Sequence, residues 1–318
     1  GRVTKLGPVS KTKPSRRYAP AFPPTLSDCS RMVTWWPLTL RRAAVAMPPI
    51  PAPTTTTFAT VLDHRAMSID RRTRLTKLPT YDWCGEDPSA LADLPRLPPQ
   101  PPIPELLSDP SGNAFPLVGD DADGSDEPLI DIRHPRIRVL AAYWHSGWPY
   151  SLPEALMRQG AALRLVNAVD ALPEGFGFAI WDAWRDPKLQ NELHSLAYSD
   201  ASLPVGFVNP ASSDPTTPPP HSTGGTVDLT LTWQSVPLNL GTRFDEFVPM
   251  AHANSLEGVA ETDPLAVSRD LRRLLRSVMW DAGFVQLDCE WWHFENGTRL
   301  WSAVRGKAPR YLAATLHE

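Results

Sequence analysis

The chain has 318 residues, 42% of them hydrophobic, and a formal net charge of −4, which admits one large or two ordinary domains with a sizeable core. Its three cysteines, Cys29, Cys84 and Cys289, are far apart and form no Cys-x-x-Cys pair, so neither a disulfide framework nor a thiolate metal site is indicated. No apolar run approaches a transmembrane helix, and Trp35-Trp36-Pro37-Leu38-Thr39-Leu40 is too short for a secretory signal, so the expectation is a cytoplasmic protein without a membrane span.

The charge is unevenly spread. Residues 1–80 carry fourteen Lys/Arg against three Asp/Glu, leaving seventeen basic and thirty-two acidic residues for the rest. Twenty-one of the thirty-six prolines precede residue 129, among them Pro98-Pro99, Pro101-Pro102 and Pro104, and such a segment sustains neither regular helices nor central strands. Residues 1–127 therefore read as a largely disordered extension, basic first, then proline-rich and acidic. The basic arm reads as a solvated tail, with no nucleic-acid partner expected. Gly1 opens the chain, and Met32, Met47 and Met67 are candidates for a natural start.

Order is expected from Pro128, giving a single domain over 128–318. Leu129-Ile130-Asp131-Ile132-Arg133 alternates as a strand does, and a helix is expected to start at Ser151 to Pro153 with Leu156, Leu163 and Val166 as its buried stripe. Gly175 to Trp181 reads as a buried strand delivering Asp182-Ala183-Trp184-Arg185 at its end, and Pro187 opens a helix carrying Leu189, Leu193 and Leu196. A loop over 209–220 leads to His221. From Thr226 the pattern alternates, with Val227, Leu229, Leu231 and Trp233 on one face and Asp228, Thr230 and Thr232 on the other. Thr262-Asp263-Pro264 caps a helix with the stripe Val267, Leu271, Leu274, Leu275 and Val278, ended by Gly283, and residues 284–289 are strand-like.

That last strand runs into Glu290-Trp291-Trp292-His293. Together with His221 and Asp228 it offers a His, Asp, His ligand set and a free carboxylate, the minimal kit for hydrolysis at a zinc ion. Residues three apart in a regular strand point to opposite faces, so Glu290 and His293 converge only if the strand ends or bulges at Trp291-Trp292. Arg185, following a buried strand, is placed to stabilise an oxyanion; without such a role it would pair with Asp182 or Asp186.

The blocks Trp181-Asp182-Ala183-Trp184-Arg185, His221-Ser222-x-Gly224-Gly225-x-Val227-Asp228-Leu229-Thr230-Leu231, Gly241-Thr242-Arg243-Phe244-Asp245 and Glu290-Trp291-Trp292-His293 resemble, in order and spacing, the zinc-dependent D-alanyl-D-alanine dipeptidases. The resemblance covers about residues 129–302. It implies an α+β fold with a small antiparallel sheet flanked by helices, shared with the D,D-carboxypeptidases and the hedgehog amino-terminal domain. It also implies one zinc on His221, Asp228 and His293, Glu290 as acid and base, and Arg185 polarising the carbonyl. Asp245 falls where the family binds the substrate ammonium, and Tyr143, by a looser match, where a tyrosine assists. Two positions depart: Pro219-Pro220 stands where relatives carry small hydroxyl residues, and Trp184 where tyrosine is common. The expected activity is hydrolysis of a small dipeptide, D-Ala-D-Ala, to free D-alanine. The alternatives are a carboxypeptidase or endopeptidase acting on peptidoglycan stems, and a non-catalytic zinc-binding module of the same fold.

Overall fold

The computed structural model describes residues 87–91, 93–105, 115–120, 122–197, 210–246 and 248–316. Most of the extension expected over residues 1–127 lies outside the described residues. The part that is described packs onto the body. Ile103 and Val118 are buried, the Ile103 amide donates to Glu257 at 2.9 Å, and the Val118 amide donates to the Thr216 carbonyl at 3.0 Å. A proline-rich chain can dock single apolar side chains without making a ladder, and composition does not reveal where it does so.

In chain order the body runs β1 (Leu129–Asp131), β2 (Ile137–Val139), the short helix α1 (Ala142–His145), β3 (Leu156–Arg158), α2 (Gln159–Ala171), β4 (Phe176–Asp182), α3 (Pro187–Ala197), β5 (Thr226–Trp233), β6 (Val236–Pro237), α4 (Leu265–Asp281), β7 (Val285–Gln286), β8 (His293–Glu295) and α5 (Arg299–Arg305). The main sheet has the order β2-β4-β5-β8-β7, with β6 paired to the C-terminal end of β5, while β1 and β3 form a separate antiparallel pair. This is the expected α+β class, but the sheet is mixed: β2 pairs with β4 in parallel. The chain between those two strands holds α1, β3 and α2, and only such a long return allows parallel pairing. Among the described residues no helix is long and apolar enough to cross a membrane.

The expected helix start at Ser151 to Pro153 is wrong. Leu156 to Arg158 pairs with β1 as a strand, and the helix begins at Gln159. Its stripe shifts accordingly: Leu163 is exposed and Val166 half-buried, whereas Ala161, Ala162, Leu165, Ala168 and Val169 are buried. Strand pairing outweighed local helical spacing here. Elsewhere the periodicity is read directly in the burial. Leu189, Leu193 and Leu196 of α3 and Leu271, Leu274 and Leu275 of α4 enter the core, while Val267 and Val278 are only partly buried. The Asp263 carboxylate accepts from the Leu265 amide at 2.8 Å, and Gly283 closes the far end of α4 at φ +95°.

β5 lies inside the sheet between β4 and β8, and its polar face is buried as fully as its apolar one. The strand expected over 284–289 is only β7; the chain turns at residues 288–292 and returns antiparallel as β8. That reversal is the irregular strand end that the Glu290–His293 spacing required. Around it the aromatics close the core: Trp181 stacks on Phe244 at 5.0 Å, and Trp291 meets both Trp181 and Trp292 edge-on.

Candidate metal centre

Three strands set the centre of the site by register. Across β4, β5 and β8, Asp182 pairs with Asp228 and Asp228 pairs with His293, so these side chains form one row. A register shift between Ile180 and Asp182 lets Trp181 enter the core while Asp182 joins that row. His221 arrives from outside the sheet, on a 3-10 turn (Pro220–Thr223) that begins with proline and ends on Gly224 at φ +75°. A Cβ on Gly224 would come within 2.5 Å of Leu129 Cδ2, so this turn needs glycine for its space and for its backbone. The C-terminal segment braces it: the Ala314 amide donates to the Ser222 carbonyl at 2.7 Å, and the Trp184 indole donates to the Ala314 carbonyl at 3.1 Å.

His221, Asp228 and His293 are all buried, and each offers a ligand atom within 4.8 Å of the others. His221 Nε2 lies 3.2 Å from Asp228 Oδ2, and His293 Nδ1 lies 3.0 Å from Asp228 Oδ1. Glu290, carried by the turn before β8, has its Oε2 3.5 Å from His293 Nδ1. Arg185 approaches from the end of β4. Its guanidinium donates to Asp182 at 2.9 Å and to Gln190 at 2.8 Å, and its Nη2 is 3.9 Å from Asp228 Oδ2. The Tyr143 hydroxyl accepts from Arg185 at 3.4 Å and donates to Asp245 Oδ2 at 2.8 Å. All seven residues singled out in the sequence therefore meet in one constellation.

The sequence reading missed three groups. Glu295 accepts from His293 Nε2 at 2.9 Å, Gln190 holds one arm of Arg185, and the Ala183 carbonyl accepts from His221 Nδ1 at 2.7 Å. For Glu295 there was a signal: residues 293 and 295 of one strand share a face.

The donor set fits a cation. A carbonyl and a carboxylate can only accept, so the outward nitrogens of both rings carry their hydrogens and the inward ones, in the neutral tautomers, carry lone pairs. Those lone pairs face the two oxygens of Asp228, an arrangement of acceptors against acceptors that a positive ion among them resolves. Enclosed carboxylates also outnumber the fixed cation, since Asp182, Asp228, Asp245, Glu290 and Glu295 share their surroundings with Arg185. Burial pushes the Asp228 carboxyl up, and only donors beside it, protonated rings or a bound cation, outweigh that and hold it well below the usual range. Burial likewise raises Glu290 against the pull of His293, and raises Asp182 against Arg185. Asp245, enclosed near Asp228 and Glu290, is pushed up to about 8. Three carboxyls displaced toward their neutral forms mark a site short of positive charge.

Comparison with known proteins finds a family and relatives that this chain resembles. The family of D-ala-D-ala dipeptidases matches residues 154–309. The chain is 34% identical over 122 residues to a D-alanyl-D-alanine dipeptidase of Synechocystis sp., covering 36% of this chain and 47% of that protein. It is 32% identical over 148 residues to one from Escherichia coli, covering 46% and 69%, and 28% identical over 144 residues to one from Enterococcus faecium, covering 39% and 64%. The chain thus spans about half the length of the first relative and about two thirds of the other two.

Proposed function

The chain belongs to the D-ala-D-ala dipeptidase family of peptidases, and we propose that it is a zinc-dependent dipeptidase cleaving D-Ala-D-Ala to two molecules of D-alanine. The observation that carries this reading is the convergence of His221, Asp228 and His293 within 4.8 Å, with the Glu290 carboxylate 3.5 Å from His293.

His221, Asp228 and His293 would hold the ion. Zinc supplies a Lewis acid there, making water nucleophilic near neutral pH. Glu290 takes a proton from the water as the oxygen attacks the peptide carbonyl carbon. It then returns that proton to the leaving nitrogen as the C–N bond breaks, so no net proton is consumed at Glu290. Its burial raises its affinity for the proton it must carry between those two steps. Arg185 is fixed in advance by Asp182 and Gln190, and its charge stabilises the carbonyl oxygen as that oxygen becomes negative.

Asp245 and Tyr143 form the other end of the site. An enclosed carboxyl pushed up to about 8 is short of positive charge, and a substrate ammonium arriving opposite it restores the ionised form. This recognition of a free amino terminus favours a dipeptide over the interior of a longer chain. Metal analysis of the purified protein, alongside amino-acid release from D-Ala-D-Ala and L-Ala-L-Ala, tests the proposal. One zinc per chain and release from the D,D-dipeptide are expected; a metal-loaded protein inert toward D-Ala-D-Ala would overturn it.

A further inference from the structure

Glu295 has no part in the chemistry above, yet it is among the most deeply buried carboxylates of the described chain, at 2% exposure. Burying a carboxylate is costly unless each oxygen finds a donor. Both do. Oε1 accepts from His293 Nε2 at 2.9 Å, and Oε2 accepts from the Thr298 hydroxyl. Thr298 is itself fixed, because the same Oγ1 caps α5 by accepting from the Trp301 amide at 3.2 Å. Among the described residues no arginine or lysine forms an ion pair with Glu295; its one ion-pair partner is the His293 ring.

Backbone geometry makes the contact rigid. His293 and Glu295 lie on one face of β8, which is held on one side by β5, with Glu295 opposite Thr226, and on the other by β7, with Glu295 opposite Val285. The second histidine is supported differently. His221 Nδ1 rests on the neutral carbonyl of Ala183 at 2.7 Å, and the carboxylate nearest that nitrogen, Asp182, stands farther off at 3.3 Å and is already engaged by Arg185. The carboxylate behind His293 is closer and has no competing cation, and the inward nitrogen of the same ring lies next to both Asp228 and Glu290.

Resting on the zinc reading above, we infer that Glu295 is a positioning residue for the metal: it fixes the tautomer of His293 with Nδ1 bare and turned inward, and through its charge makes that nitrogen a stronger donor. A carboxylate behind a ligating imidazole has this effect on orientation and basicity, and loss of such a partner weakens metal affinity by about 10- to 100-fold. The chain of contacts from the α5 cap through Thr298 and Glu295 to His293 then ties docking of that helix to metal retention.

The test uses the full-length chain and measures zinc affinity by competition with a chromophoric chelator, without any substrate. Glu295→Gln keeps the shape and an acceptor oxygen but removes the charge, and should weaken zinc binding by about 10- to 100-fold; Glu295→Ala should weaken it at least as much. Imidazole nitrogen NMR of the zinc-loaded wild type should show His293 protonated at Nε2, and that signal should broaden or vanish in Glu295→Ala. Should Glu295→Ala fail to fold, Glu295→Gln decides. Wild-type zinc affinity in both folded variants, or an unprotonated Nε2 in the wild type, overturns the inference. If D-Ala-D-Ala is not cleaved but the zinc affinities fall as stated, the dipeptidase reading fails and the role of Glu295 stands.

Discussion

Asp228 faces His293 directly across two antiparallel strands, with its Oδ1 3.0 Å from the Nδ1 of that ring. The same carboxylate reaches His221 through Oδ2 at 3.2 Å, so one residue of an inner strand gathers both imidazoles. The outward N–H of each ring is already taken, and the inward nitrogens have a cation as their natural partner. The consequences of this arrangement can be separated experimentally, because metal retention, turnover, proton affinity and folding depend on different residues.

In the proposed mechanism Glu290 acts on the water and does not hold the ion. Glu290→Gln should keep its zinc by elemental analysis while kcat on D-Ala-D-Ala falls by about 10²–10⁴-fold, the usual contribution of a general acid and base. A variant with full turnover would remove Glu290 from the mechanism.

Arg185 is held by a fork, with Nε and Nη2 on Asp182 and Nη1 on Gln190. Lysine has a single ammonium and cannot reproduce it. In Arg185→Lys, kcat should drop by about 10²–10³-fold with zinc content unchanged, as expected for a lost oxyanion donor. Steady-state kinetics check this, and a loss confined to KM would assign Arg185 to ground-state binding instead.

Asp245 gives a pH signature. Burial first, then Asp228 and Glu290, push its carboxyl from 3.8 to about 8, so the folded protein binds this proton more tightly than the unfolded chain does. Its contribution to stability is therefore full below 3.8 and is lost as the pH climbs toward about 8. In metal-free protein the urea midpoint of the wild type should decline relative to Asp245→Asn across that interval. A difference that does not vary with pH would show that the carboxyl titrates normally.

Gly224 tests the turn that carries His221. At φ +75°, with Leu129 Cδ2 only 2.5 Å from where a Cβ would stand, Gly224→Ala should cost about 1–3 kcal/mol and lower zinc affinity as His221 is displaced. Thermal unfolding and chelator competition measure the two effects; a variant unchanged in both would mean that the turn relaxes freely.

Much of this molecule is legible in its residues alone. The alternation from Thr226 to Trp233 predicted β5 and put Asp228 on its polar face, and the leucine stripes of α3 and α4 predicted the sides they bury. The His221, Asp228, Glu290 and His293 set was legible from the order and spacing of the blocks that carry it, since any one His or carboxylate among eight histidines and thirty-five acidic residues proves little. Where a segment had two local solutions, the sequence misled: Leu156 fitted a helical stripe until Leu156 to Arg158 paired with β1. The parallel pairing of β2 with β4 and the docking of Ile103 and Val118 were likewise invisible.

The sequence by itself determined which side chains could do the chemistry and most of the short segments that would be strand or helix, because propensity and periodicity act within a few residues. Only the tertiary structure decided that Asp182, Asp228 and His293 form one row, that Tyr143 links Arg185 to Asp245, and that Glu295 stands behind His293. Those relations depend on the register between strands and on loops that close over long stretches of chain, and no local window contains that information.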